Sequence, residues 1–177
     1  MTTILGIDPG SRITGYGVIK LKHNKPHYLS SGRIMVAGQH LSDKLGRIFD
    51  DISQICQQYQ PDMAAIEQIF MHQNPGAALK LGQARGVAIA AMSCHNLQAH
   101  EYSARQIKQA VVGYGAAKKT QVQHMITTLL SLEKQPPNDA ADALAIALCH
   151  AHTHLSLQVL NKRSTINEQA GAQVIGR

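Results

Sequence analysis

Acidic side chains are scarce in this chain: Asp and Glu number 11 among 177 residues, against 17 Lys and Arg. The deficit leaves a formal net charge of +6 and a pI near 9.4, which excludes an acidic, solvating or disordered chain and admits a polyanionic partner. Cysteine is sparse as well. Cys56, Cys94 and Cys149 are odd in number, widely spaced and set among apolar residues, so they read as reduced core thiols of a cytoplasmic protein rather than a disulfide frame or zinc site. Long apolar runs are missing: Asp142 interrupts the richest stretch, Ala140 to Cys149, well short of the ~18 residues a membrane span requires, and no membrane partner is expected. The opening Met-Thr-Thr-Ile-Leu-Gly lacks the basic region and cleavage site of a secretory leader. What remains, 44% hydrophobic residues in 19.2 kDa, suits one soluble domain with a sizeable core.

The apolar run Ile4-Leu5-Gly6-Ile7 predicts a central strand buried on both faces, and Asp8-Pro9-Gly10-Ser11 ends it in a turn. Gly15 to Leu21 and His27 to Val36 read as two further strands of a meander. Leu41, Leu45, Ile48, Ile52, Ile55 and Tyr59 recur at helical spacing and predict a sheet-packing helix stopped by Pro61. Asp62 to Glu67 reads as a short strand. A loop, Phe70 to Asn74, leads to a small-residue helix from Pro75, with Leu81, Ala84, Ala88 and Ala91 as its apolar face. A strand near Leu97 to Ala99 follows, then helices from about Ser103, Lys118 and Asn138. This order describes an α/β fold, a mixed sheet covered by helices on both sides. The domain is expected to span 1–157, and 158–177, where the hydrophobic pattern fades, to form a flexible C-terminal tail.

The few carboxylates sit in unusual places. Asp8 and Glu67 each close an apolar strand, and strand ends of an open α/β sheet are where ligands bind. Asp139 and Asp142, three apart at a helix start, share one face. If these four meet, their repulsion is tolerable only with cations between them. An all-oxygen donor set points to Mg²⁺ or Mn²⁺. Ala140, Ala141 and Ala143 leave room for a substrate backbone beside the pair. The blander alternatives are helix-dipole complementation by Asp139 and Asp142, a turn role for Asp8 and a lone surface charge at Glu67. Against them, a charge ending a buried strand must be solvated or paired. A two-metal carboxylate site fits phosphodiester hydrolysis, and the basic balance makes nucleic acid the natural substrate.

Together, Gly6-Ile7-Asp8-Pro9-Gly10-Ser11-Arg12 with Thr14-Gly15-Tyr16-Gly17, Ala65-Ile66-Glu67-Gln68, Leu79-Lys80-Leu81-Gly82-Gln83-Ala84-Arg85-Gly86 and Asp139-Ala140-Ala141-Asp142-Ala143-Leu144-Ala145 closely resemble the RuvC Holliday-junction resolvases of bacteria. The likeness runs from the first strand to about His150. It implies an RNase H-like fold: a mixed β-sheet, three antiparallel strands plus parallel ones, flanked by helices on both faces. It also implies a cytoplasmic homodimer that nicks two strands of like polarity at a four-way DNA junction. The family's acidic ligands carry over to Asp8, Glu67, Asp139 and Asp142, holding Mg²⁺ (two ions per subunit, Mn²⁺ able to substitute). Cooperation with the RuvAB branch-migration complex and a preference for a short T-containing sequence are implied in the same way.

Four further residues are expected on the DNA side. Phe70, one of two phenylalanines, stands in the loop after Glu67, placed to wedge or stack against unpaired bases; the alternative is a satellite core residue. Lys108 and Lys119 align with basic residues of the family's DNA-binding face, and lysines at a helix N-terminus suit phosphate. Arg12, beside Asp8, is a candidate for the same role. Arg85 fits equally a structural ion pair. His150 and His154 at i, i+4 spacing have no glutamate or third ligand nearby, and a fraying helix end accounts for them better than a metal site. The Leu79 to Met92 helix is the guess for a dimer interface. Two rival functions weigh less. An actin-like or sugar-kinase ATPase needs two duplicated halves, and a non-catalytic junction binder leaves four acids facing phosphate without purpose.

Overall fold

A computed structural model describes the backbone of residues 1–69 and 74–174, and side chains as far as Asn161. The meander is β1 (Thr2–Asp8), β2 (Ile13–Lys22) and β3 (Lys25–Met35). His23 and Asn24, with φ of 50° and 64°, turn β2 into β3 through two left-handed residues, the geometry whose twist matches that of paired strands. Helix α1 (Leu41–Tyr59) ends at left-handed Gln60, just before Pro61, and leads into β4 (Met63–Glu67). Helix α2 (Pro75–Cys94) starts on Asn74, whose side chain accepts a hydrogen bond from the Ala77 N–H, with Pro at the first turn. Then follow β5 (Ala99–Tyr102), α3 (Ala104–Val112), α4 (Lys119–Leu129) and α5 (Asn138–Val174).

The strands form one sheet of order β3-β2-β1-β4-β5, with β1 central, antiparallel to β2 and parallel to β4. Side chains alternate across it. Leu5, Ile7, Val18 and Ile66 pack with Ile48, Ile52, Ala84 and Ala88 of α1 and α2. Ile4, Ile19 and Ala65 pack with Ile107, Val122, Ile126 and Leu144 of α3, α4 and α5 on the other face. The expected mixed sheet between two helical layers is what the chain forms. Leu41 departs from its predicted core stripe and is exposed as the first residue of the helix.

Several sequence expectations need correction. The last strand runs Ala99–Tyr102, further along than the apolar Leu97–Ala99 suggests; it is an edge strand, so His100 and Glu101 tolerate exposure. Cys56 and Cys149 are buried, but Cys94 is exposed at the end of α2. Ala140, Ala141 and Ala143 do not flank a substrate channel: they are buried at 1%, 0% and 0% exposure. They let α5 lie close on the glycine-lined sheet. A Cβ on Gly6 would lie 2.2 Å from the Ala143 carbonyl oxygen, and one on Gly17 2.7 Å from the Leu144 nitrogen. His150 is no fraying end. The backbone of helix α5 runs on beyond it, to Val174. His150 is buried, its Nδ1 2.7 Å from the Tyr102 hydroxyl, its ring stacked on His100. Burial and the neighbouring histidines lower its pKa to about 4, so it is a neutral packing group. Finally, Asn138–Asn161 has a mean hydropathy of 1.3 and is long and apolar enough by composition to cross a membrane, contrary to the sequence expectation. Half of that window is buried inside the fold, as a core helix requires.

Candidate active site

The register of the two parallel strands decides where the acids meet. Ile7 lies beside Ile66, so the next residues, Asp8 and Glu67, end adjacent strands side by side. Because Ile7 and Ile66 face α1 and α2, alternation sends both carboxylates to the face covered by α5. The start of α5 reaches them through Gly15, the β2 partner of Asp8. A Cβ there would lie 2.0 Å from the Asp139 carbonyl oxygen. Buried Thr14 closes the turn beyond Asp8: its hydroxyl donates to the Gly10 carbonyl at 3.1 Å and accepts from the Gly10 N–H at 3.3 Å.

The electrostatics show the same convergence. Burial first, then the charges of Asp142, Glu67 and Asp139, raise the Asp8 carboxyl from 3.8 to about 8, with Lys119 pulling the other way. Glu67 is raised by burial and by Asp142, and lowered by Lys108 and Lys119. Lys119 Nζ donates to Asp142 Oδ2 at 2.5 Å. Burial opposes its charge, but Asp142, Asp8 and Asp139 outweigh burial and raise its pKa. As placed, no three His, Cys, Asp or Glu side chains among the described residues chelate an ion together. Lys119 is ion-paired with Asp142. The donor set is nevertheless all oxygen, with Asp142, Glu67 and Asp139 acting on Asp8 and the ammonium groups of Lys108 and Lys119 beside them. Such crowding fits a hard divalent cation.

The raised Asp8 pKa has a consequence for stability. Asp8 is protonated in the fold and ionised in the unfolded chain between the two pKa values, so its stabilisation is complete below the unfolded value and lost as pH rises through the folded one. In metal-free buffer, thermal melts are expected to show the Asp8 contribution falling from about pH 4 to about pH 8, and Asp8→Asn to remove most of that slope. An unchanged slope in the variant would place the titration elsewhere.

A cleft of about 210 Å³ opens beside the acids, lined by Glu67, Lys108, Lys119 and Asp142 over apolar Ile107, Val122 and Ile146. A second hollow of about 210 Å³ holds Asp8, Glu67 and Leu81. The much larger groove of about 1010 Å³ along Lys25–Ser31 and Leu129–Pro137 contains one carboxylate, Glu133, and no comparable charge crowding. Asp8, Glu67, Asp139, Asp142, Lys108 and Lys119 therefore come together. Arg12 is exposed in the β1–β2 turn, and Phe70 lies outside the described residues. Arg85 reaches the far side of the site, with Nε donating to the Glu67 carbonyl at 3.2 Å and Nη2 2.5 Å from Glu101 Oε2. Sequence reasoning missed the glycines. Gly6 pairs with Gly17 and Asp8 with Gly15, and glycines spaced two apart beside a glycine-containing strand are the signal of a backbone pressed against that face.

Comparison with known proteins places this arrangement. The family model for crossover junction endodeoxyribonuclease RuvC matches residues 4–150. The chain belongs to the RuvC family. It is 61% identical over 157 residues to the RuvC of Tolumonas auensis, covering 89% of this chain and 91% of that one. With the RuvC of Francisella tularensis subsp. novicida the identity is 57% over 166 residues, covering 94% and 97%. The structure of Thermus thermophilus RuvC in complex with a Holliday junction substrate superposes with a TM-score of 0.82 at 31% identity, covering 87% of this chain and 95% of that one. The sheet and helices described above are thus the RNase H-like fold of RuvC resolvases.

Proposed function

We propose that this chain is a crossover junction endodeoxyribonuclease that hydrolyses phosphodiesters symmetrically at four-way DNA junctions during recombination and repair. The observation that carries this reading is the meeting of Asp8, Glu67, Asp139 and Asp142 at the end of the central strands, in a chain with basic surplus. RuvC relatives of this family, one of them captured on a Holliday junction, support it. The four carboxylates would hold Mg²⁺, two ions per subunit, or Mn²⁺ in its place. The bound metal supplies Lewis-acid activation of water and charge neutralisation at the leaving 3′ oxygen.

The protein's own part is placement. Asp8, on the most buried strand, offers a carboxylate that burial and like charges make eager for a cation. Glu67 presents a second from the neighbouring strand, and α5 brings Asp139 and Asp142 from above. Lys119, at the N-terminus of α4, and Lys108 line the cleft where a phosphate backbone would enter. Arg12 would contact DNA beyond the turn, and Phe70 would stack on unpaired bases. Two copies acting on strands of like polarity make a homodimer the natural assembly, with α2, which exposes Leu79 at 66%, as the face between them. The RuvAB complex is the proposed partner, the cytoplasm the proposed place, and 158–177 the proposed C-terminal tail beyond the nuclease domain.

The decisive experiment incubates purified protein with a mobile four-way junction, linear duplex and single strand, each with Mg²⁺ or EDTA. Cleavage confined to the junction with Mg²⁺ is expected. Cutting in EDTA, or equal cutting of duplex, rejects the reading.

A further inference from the structure

The stretch Leu79 to Gly86 carries part of the family likeness, yet it lies on α2, which packs on the face of the sheet opposite α5, although Leu81 reaches the hollow of Asp8 and Glu67. We propose that Arg85 is a positioning residue for Glu67, holding the end of β4 from the back of the sheet; the proposal rests on Glu67 being a metal ligand. The peptide unit that joins Glu67 to Gln68 is held at both of its polar atoms. Its carbonyl oxygen accepts from Arg85 Nε at 3.2 Å, and its N–H donates to the Tyr102 carbonyl on β5 at 2.9 Å. Both contacts fix the backbone at Glu67, the last residue of its strand, where the register with β1 has ended at Ile66 and the pairing with Tyr102 of β5 remains.

Arg85 is itself anchored. Ile66 pairs with Glu101 in the β4–β5 register, so Glu101 faces α2, and its carboxylate lies 2.5 Å from Arg85 Nη2, an ion pair by proximity in which Nη2 makes no hydrogen bond. The Arg85 side chain is 20% exposed. The charges acting on the Glu67 carboxylate come from the other face, from Asp142, Lys108 and Lys119. Arg85 therefore works through the backbone rather than by charging the carboxylate. A guanidinium is the group for this, because one rigid plane lets Nε donate to the carbonyl while the charge on Nη2 stays beside the carboxylate; lysine has a single nitrogen for both.

The test compares Arg85→Lys, Arg85→Met, Glu101→Gln and Glu67→Gln in the full chain. Mn²⁺ binding is read by electron paramagnetic resonance, with cleavage against Mg²⁺ concentration, junction binding in EDTA and melting temperature alongside. Removing a group that orients a metal ligand weakens metal affinity about tenfold or more, and that loss is expected in both Arg85 variants while junction binding in EDTA changes less than about twofold. Glu101→Gln, which keeps the carbonyl contact, is expected to lose less than about threefold. Should Arg85→Met fail to fold, Arg85→Lys decides. Unchanged Mn²⁺ affinity in Arg85→Lys, with cleavage falling only in step with melting temperature, overturns the positioning role. So does a Glu101→Gln loss equal to that of Arg85→Lys, which would assign the effect to the ion pair. If Glu67→Gln itself binds Mn²⁺ normally, the ligand reading fails. If Glu67→Gln weakens binding and Arg85→Lys does not, only the positioning inference falls.

Discussion

Asp8→Asn is expected to abolish Mg²⁺-dependent cutting of a four-way junction, by about a thousandfold or more, and to leave junction binding intact or tighter. Asn has the shape of Asp without the anionic oxygen that a hard cation requires, so one carboxylate of the proposed metal site is lost while the packing at the end of β1 is kept. Removing one negative charge from a surface that must accept phosphate reduces repulsion, which is why binding in EDTA is not expected to fall. The metal-free protein should also melt higher near about pH 8, since Asp8 ionises there against burial, Asp142, Glu67 and Asp139. Cleavage kinetics on a synthetic junction and a gel-shift titration in EDTA measure the two effects. Retained cutting by the variant would remove Asp8 from the ligand set.

Gly15→Ala is expected to damage both fold and site. The added methyl would lie 2.0 Å from the Asp139 carbonyl oxygen and 2.5 Å from its carbon. Backbone confronts backbone, with no flexible side chain to yield, so α5 must lift from β2. Overpacking of this kind costs about 1–3 kcal/mol, or roughly 2–4 °C of melting temperature per kcal/mol in a chain of this size. The lift also carries Asp139 and Asp142 away from Asp8, so cleavage under conditions where the variant is folded should fall at least about tenfold, as small misplacements of reacting groups do. Gly46→Ala is the matched control. Gly46 sits inside α1 with open space at its Cβ position, and there alanine should add roughly 1 kcal/mol of helix preference. Equal melting temperatures for the two variants would refute close packing of α5 on the sheet.

Much of the fold was legible because its signals are local. The apolar run Ile4 to Ile7 marks a strand buried on both faces, and β1 lies at the centre of the sheet. The 3.6-residue stripe Ile48, Ile52, Ile55 marks the helix face that packs on it. The starts of α2, α3, α4 and α5 fall within a residue of the expected positions, since caps and prolines act over a single turn. The errors came where tertiary context overrides composition. Edge strand β5 needs no apolar pattern. The alanines of α5 serve close helix-to-sheet contact instead of an open channel. The apolar length of α5 looks like an interrupted short run until its buried face is seen.

Residue types, strand-end placement and helical spacing singled out Asp8, Glu67, Asp139 and Asp142 from the sequence alone, because hard cations demand oxygen donors and buried strands do not end in charges without reason. Their convergence was decided in three dimensions. The β1–β4 register sets Asp8 beside Glu67, and the bare glycine face of β1 and β2 lets α5 descend to them. Pairing register and the approach of two backbones are relations between distant segments, which no local pattern encodes. For the same reason only the folded chain shows Lys119 turned onto Asp142 and Arg85 reaching the Glu67 carbonyl.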